Sequence, residues 1–351
     1  MAPSDEVTVR KLVWAGAAVL VWAAVAYLVW RAMGVLAPVL VPVAVAVLIA
    51  AALRPAVRGL VRRRWPRVLA AALMVVGPLT VLGVLLVITV DALVRGGGEL
   101  AEALRDGVGT VRDWLVRGPL GLSEPQVGGA VDNLVAFVGD QGERIVGGAT
   151  ATAAAVGGFL AGLVLAVFVL FFLLYEGERI WTWLLAPLSA SVRTRFDQAG
   201  REAFSSLGAY SRATVAVAVV DAVVIGVGLA IIGVPMVIPL ASLVFLAAFV
   251  PYVGAFVAGF VAVLVGLVSG GPVTALLVLG LSVLVQTLEG EVLQPFLLGR
   301  MVRLHPLLVV VSIAVGVVLA GIVGALFAVP VVLVARAVLR QLPGTSNTQT
   351  G

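Results

Sequence analysis

The chain has 351 residues, 62% of them hydrophobic and 12% charged, with a formal net charge of +5. Soluble domains carry about 25% charged residues, and so few charges cannot cover a water-exposed surface of this size. The composition therefore excludes a soluble fold and places the chain in a bilayer. There is no cysteine, which removes disulfide frameworks, thiolate metal sites and cysteine nucleophiles.

Eight stretches approach the roughly 20 helical residues that a hydrocarbon core requires. They lie near 12–30, 35–53, 68–90, 151–175, 213–232, 236–268, 273–288 and 306–335. The first follows Arg10 and Lys11, exceeds a signal-peptide h-region and has no small-residue cleavage site after it, so it reads as a span. The runs are continuously apolar rather than alternating, which predicts helices and not a barrel. Segment 236–268 contains Pro239 and Pro251 and is expected to be kinked or split. Segment 273–288 is short, and 306–335 is long and interrupted at Gly321 and Gly324. The fold class expected is an all-α integral membrane protein of about eight transmembrane helices, some kinked or broken, with amphipathic helices outside the bilayer.

The arginines set the orientation. Loop 54–67 holds Arg54, Arg58, Arg62, Arg63, Arg64 and Arg67 with no acid and is expected to be cytoplasmic. A turn at Arg31 then lies outside, and both termini lie inside. A pI of 10.4 could suggest nucleic acid, but arginines in short loops between apolar runs read as topology markers, and no nucleic-acid partner is expected.

Segment 91–150 falls on the far side, with nine acids against five arginines. Leu100, Leu104, Val108, Val111 and Leu115 recur at helical spacing, as do Val131, Leu134, Val135 and Val138. Two amphipathic helices joined by the turn Gly118–Pro125 are predicted. A second amphipathic element is 189–212, striped by Val192, Phe196, Ala199, Ala203, Leu207 and Tyr210, with Ser189 or Ser191 as its cap. The organisation expected is 1–90, three spans with the basic loop 54–67; 91–150, an extracytoplasmic helical segment; and 151–351, five spans with a cytoplasmic helix 176–212 and a transport core 213–338. No internal repeat is evident; 236–268 and 306–335 are the best candidates for a corresponding pair.

Ionisable groups inside apolar runs are the informative residues, because an acid at a helix centre costs about 2.5–3.5 kcal/mol on insertion scales. Asp221 stands near the middle of 213–232, beside the small residues Ala222, Gly226 and Ala230. It reads either as a proton- or cation-binding carboxylate or as a structural acid with a partner. The richest polar cluster is Gln286, Glu289, Gly290, Glu291, Gln294 and Pro295. On an unbroken helix Glu289 and Glu291 stand about 200° apart, whereas Gln286 and Glu289 share a face. Gly290 and Pro295 are expected to break the helix and expose binding groups, the alternative being a loop that has left the membrane. His305, the one histidine, precedes Pro306 and is expected at the start of the last segment. A pairing of Ser269 with His305 as a protease dyad lacks the usual nucleophile spacing. With no phosphate loop, nucleotide fingerprint or His-Glu metal helix, neither enzymatic activity nor a cofactor nor a metal is expected.

From Tyr210 onward the chain resembles the autoinducer-2 exporter family of bacterial membrane proteins. The residues carrying the likeness are Val250-Pro251-Tyr252-Val253-Gly254, Gln286 to Pro295, Leu298-Gly299-Arg300, Leu304-His305-Pro306-Leu307 and Gly321 to Pro330. More loosely it reaches back to Phe171–Glu178. The resemblance implies an oligomeric exporter of small polar molecules, autoinducer-2 among them, in a bacterial inner membrane; some relatives are credited with sodium/proton antiport. Two departures stand out: Glu291 where the family commonly has asparagine, and Ala213-Thr214 where a Gly-Gln pair follows Tyr-x-Arg. The extra carboxylate points toward a cationic or proton-coupled solute.

The expectation is a homo-oligomeric exporter coupled to an ion gradient, its partners being the bilayer, a small polar solute and protons or sodium. Asp221, Gln286, Glu289, Glu291, Gln294 and Arg300 bind solute or ion, and Pro251, Gly254, Gly290 and Pro295 supply the helix breaks lining the site. Two alternatives stay open. One is a sodium/proton antiporter using Asp221, Glu289 and Glu291; the other is a non-transporting scaffold acting through 91–150 and 176–212.

Overall fold

The computed structural model describes residues 3–117, 152–250, 253–293 and 305–341, and the regular structure among them is helical. The helices are α1 (Pro3–Arg62), α2 (Arg67–Arg117), α3 (Thr152–Leu185), α4 (Ala190–Ile232), α5 (Val237–Ala247), α6 (Val253–Leu288) and α7 (Pro306–Leu339). A π-helical turn, Glu289–Leu293, continues α6. Among the described residues six helices are long and apolar enough to cross a bilayer, and α5 is a shorter apolar helix beside them. Continuous apolar sequence can satisfy its backbone in lipid only by closing its own hydrogen bonds, which is why the chain is an all-α multi-pass membrane protein.

The eight expected spans are regrouped. Segments 12–30 and 35–53 do not meet at a turn near Arg31, because α1 runs through both. Gly34 leaves the i→i−4 ladder intact and Pro38 removes a single donor, so neither ends the helix. The basic stretch 54–67 is helical as far as Arg62, and the connection proper is Arg63–Pro66, turned by Arg64 at φ 66°. Segments 189–212 and 213–232 are likewise one helix, α4, because the buried face continues in phase through Ala199, Ala203, Leu207, Val217, Asp221, Ile225 and Leu229. Ser189 occupies its N-cap position, but its hydroxyl makes no capping bond. The stretch Leu100–Leu115 is the end of α2 rather than a separate helix; the turn 118–125 and the second amphipathic stretch lie outside the described residues.

Two of the long helices fold back on themselves. In α6 the backbone reverses at Gly271 (φ 75°, ψ −169°), and a Cβ placed on Gly259 would stand 3.8 Å from the Ser282 side chain. On a straight helix those residues would lie about 34 Å apart. The expected segment 236–268 is thus divided: α5 takes its beginning, the chain turns after Ala247, and the remainder is the first arm of α6, with 273–288 as the second. In α7 the reversal is at Ala320 and Gly321 (φ 60°), and Gly316 and Gly324 meet so closely that a side chain on either runs into the other's carbonyl. A left-handed φ at each tip is open to glycine at no steric cost.

Small residues mediate the helix contacts, as expected where lipid removes the hydrophobic drive between helices. Ala46, Ala50, Ala70 and Ala71 lie at the junction of α1, α2 and α3, each at most 1% exposed. Large apolar side chains face outward instead, Val318 at 85% exposure among them. α4 is the hub, in contact with α1, α5, α6 and α7.

One end of the bundle is charged. Glu178 Oε1 accepts from Arg54 Nη2 at 2.6 Å and from Arg58 Nη2 at 3.3 Å, tying α3 to α1. Arg340 Nη1 donates to Glu202 Oε1 at 2.8 Å, tying the end of α7 to α4. The sequence thus closes its basic ends onto one face.

Candidate functional site

α4 carries the informative acid. Arg212 marks the charged end, its Nη1 donating to the Ala51 carbonyl at 3.4 Å. Asp221 stands about 13 Å further along the helix, at 1.5 Å per residue, and Ile232 ends it about 16 Å beyond. Asp221 is therefore near mid-depth, 7% exposed, and no donor among the described residues reaches its Oδ1. Buried polar atoms in native proteins are nearly always paired, so an orphaned carboxylate oxygen at this depth calls for an explanation.

Three antiparallel contacts set what lies beside it. Gly226 of α4 opposes Ala241 of α5; Gly228 opposes Leu281 in the second arm of α6; Gly259 in the first arm opposes Ser282. Following each register back toward the charged end brings Asp221 level with the end of α5 and with Leu288 and Glu289. The same step brings Gly254 level with Thr287. The structure supports this directly: the turn Glu289–Leu293 touches α4.

The chain reversal between α5 and α6 is at the same depth. α5 has 11 residues, about 16 Å, so from the far end it returns only to the middle of the bilayer. Gly254 is buried, and a Cβ there would overlap the Ala247 carbonyl, so glycine permits the tight corner. Half-spanning backbone of this kind is tolerated where it is covered by protein or lines a cavity.

Not every expected residue joins the cluster. Glu289 is half-buried, but Gln286, Gly290 and Glu291 are exposed. The helix does not break at Gly290; it widens into a π turn, a distortion often found at functional sites. Pro251, Gln294, Pro295 and Arg300 lie outside the described residues. His305 does open α7, as the N-cap whose Nδ1 accepts from the Leu307 N–H at 3.3 Å, with Pro306 in the first turn. Ser242 and Ser282, at 4% and 5% exposure, lie one to two turns from Asp221 and were not singled out from sequence. Their only signal there is a small hydroxyl within an apolar run. Ser282 Oγ donates to the Val278 carbonyl at 2.9 Å, leaving its oxygen free to accept.

Chemically, two carboxylates at mid-depth beside a half-spanning helix can hold a cation or share a proton. Like charges repel strongly in a medium of low dielectric.

Comparison with known proteins agrees with this architecture. The family model described as AI-2E family transporter matches residues 17–344. Three relatives carry the description "putative transport protein": MT0215 of Mycobacterium tuberculosis (strain CDC 1551 / Oshkosh), and YrrI and YueF of Bacillus subtilis (strain 168). The first is 39% identical over 270 residues, covering 77% of this chain and 74% of its own. YrrI is 27% identical over 45% of this chain and 44% of its own, and YueF 25% over 54% and 52%.

Proposed function

Because this chain belongs to the AI-2E transporter family, we propose that this membrane transporter exports a small polar solute, autoinducer-2 or a compound like it, coupled to an ion gradient. Asp221 and Glu289 hold the coupling cation or proton, and the solute binds beside the close approach of Gly254 to the Ala247 carbonyl. The observation that carries the reading is the orphaned Asp221 oxygen at mid-depth, level with a second acid and a helix reversal. Proteoliposomes loaded with autoinducer-2 and given an imposed pH or sodium gradient test it. Wild-type flux should follow one gradient, and Glu289→Gln should lower it at least tenfold. Equal flux in the variant for every gradient removes Glu289 from the site.

Sodium/proton antiport is the second reading, favoured by the same pair of acids. It predicts that adding sodium to acid-loaded vesicles dissipates the pH gradient with no organic solute present. A scaffold without transport predicts that acid substitutions are silent in both assays.

In this reading the charged end faces the cytoplasm of a bacterial inner membrane, since that leaflet's side retains arginine. The native chain has no cysteine, so Arg63→Cys introduces a single label site. In inside-out vesicles a membrane-impermeant maleimide should label it fully; in right-side-out vesicles labelling should be absent. The reverse pattern inverts the orientation and with it the direction of export.

A further inference from the structure

At the charged end, away from the acid pair, α1, α3 and α4, with Arg67 at the start of α2, enclose a cavity of about 710 Å³, with an adjoining one of about 510 Å³. Arg54, Arg58, Arg62, Arg67, Arg201 and Arg212 line the two. We propose that this cavity is a binding site for the phosphate headgroup of an anionic phospholipid, with the acyl chain lying on its apolar floor.

Charge is the first ground. Arg54 and Arg58 share Glu178, and Arg201 Nε donates to Asp197 Oδ2 at 2.8 Å. Among the described residues Arg62, Arg67 and Arg212 have no carboxylate within ion-pair distance. Six cations thus line two adjoining spaces against one lining carboxylate, Glu178, with Asp197 bonded to Arg201 from outside them. Topology alone does not require this arrangement. The positive-inside bias depends on how many arginines a short loop holds and not on their convergence. The helix dipole favours Arg58 and Arg62 in the closing turns of α1 but has no bearing on Arg201 and Arg212, which lie well inside α4. On α1, Arg54, Arg58 and Arg62 recur every fourth residue and so present one face to the cavity.

The floor is the second ground, and it selects the lipid. Below the arginines the accessible apolar wall is Val47 of α1 with Leu173 of α3, both half-buried and within apolar membrane-crossing stretches. A free phosphate or a soluble phosphate ester has nothing to place there. A phospholipid matches both halves, headgroup on the guanidinium groups and chain on Val47 and Leu173, as basic pockets between transmembrane helices do.

The experiment uses the full chain in nanodiscs of phosphatidylcholine containing phosphatidylglycerol, with retained lipid counted by native mass spectrometry and unfolding followed by heat. Phosphatidylglycerol should be retained over phosphatidylcholine and should raise Tm. Arg62→Gln/Arg67→Gln should weaken retention by about fivefold per arginine, roughly 25-fold together. Arg62→Lys/Arg67→Lys should restore most of it. Arg179→Gln removes a charge from the same end, 83% exposed and outside the cavity, and should change nothing. Unchanged Tm of the double variant in pure phosphatidylcholine shows that the fold is intact; if that Tm falls, the lysine pair supplies the comparison. Retention equal to wild type in the glutamine variant, or an equal loss in Arg179→Gln, overturns the proposal. So does inorganic phosphate at millimolar concentration that reproduces the Tm shift and displaces the lipid, since the ligand is then a free anion.

Discussion

Asp221→Asn should cut transport in proteoliposomes a hundredfold or more while the protein stays folded and becomes slightly more resistant to heat. The two halves of this result have one origin. The carboxylate is 7% exposed, one of its oxygens accepts nothing from the described residues, and Glu289 stands level with it. An isosteric amide removes a buried charge that costs about 2.5–3.5 kcal/mol to insert at a helix centre, and it removes the repulsion with Glu289. Stability should therefore rise, by about 1–2 kcal/mol once the amide's own desolvation is set against the gain. Function should fall because an amide neither exchanges a proton near neutral pH nor carries the charge that holds a cation. Flux under an imposed gradient and thermal unfolding, measured on one preparation, decide the matter. A structural acid gives the opposite pair of results: Tm drops and flux per folded molecule stays at the wild-type value.

Gly324→Ala should lower stability by about 3 kcal/mol or more, against the ordinary sign of that change. Within a helix, alanine is favoured over glycine by about 1 kcal/mol. Gly280, in the second arm of α6, has nothing within 4 Å of a Cβ, and Gly280→Ala should follow that rule. At Gly324 a Cβ meets the Gly316 carbonyl and stands 3.1 Å from the Ala320 Cβ. Backbone cannot step aside as a side-chain tip can, so the two arms of α7 must separate. Separation also withdraws Ala325, Ala328 and Val329 from Ala51 and Leu207. Thermal unfolding of the two glycine variants, compared side by side, tests the fold-back itself. If Gly324→Ala matches Gly280→Ala, α7 is an open helix.

Much of the site was legible because the chain has so few charges. Asp221 stands out in Val-Val-Asp-Ala-Val-Val, and Glu289 ends an apolar run, so each is conspicuous on hydropathy alone. That they share a depth was not legible. It follows from three contacts, Gly226 to Ala241, Gly228 to Leu281 and Gly259 to Ser282, which depend on where the chain reverses. Nor did the sequence distinguish Glu289 from Gln286 and Glu291 by burial, because the π turn alters the angular step between them. Ser242 and Ser282 escaped notice for the same reason that Asp221 did not: a hydroxyl is cheap enough in an apolar run to signal nothing.

By itself the sequence determined the solvent and the helical class, which are properties of composition and of local spacing that no folding can change, and its polar motifs carried the likeness to the family. Tertiary structure decided which apolar runs are one helix and which are two arms, and hence the number and depth of the crossings. A glycine in an apolar run can continue a helix, as at Gly34, or reverse it, as at Gly271 and Gly321. The outcome rests on what the neighbouring helices leave room for.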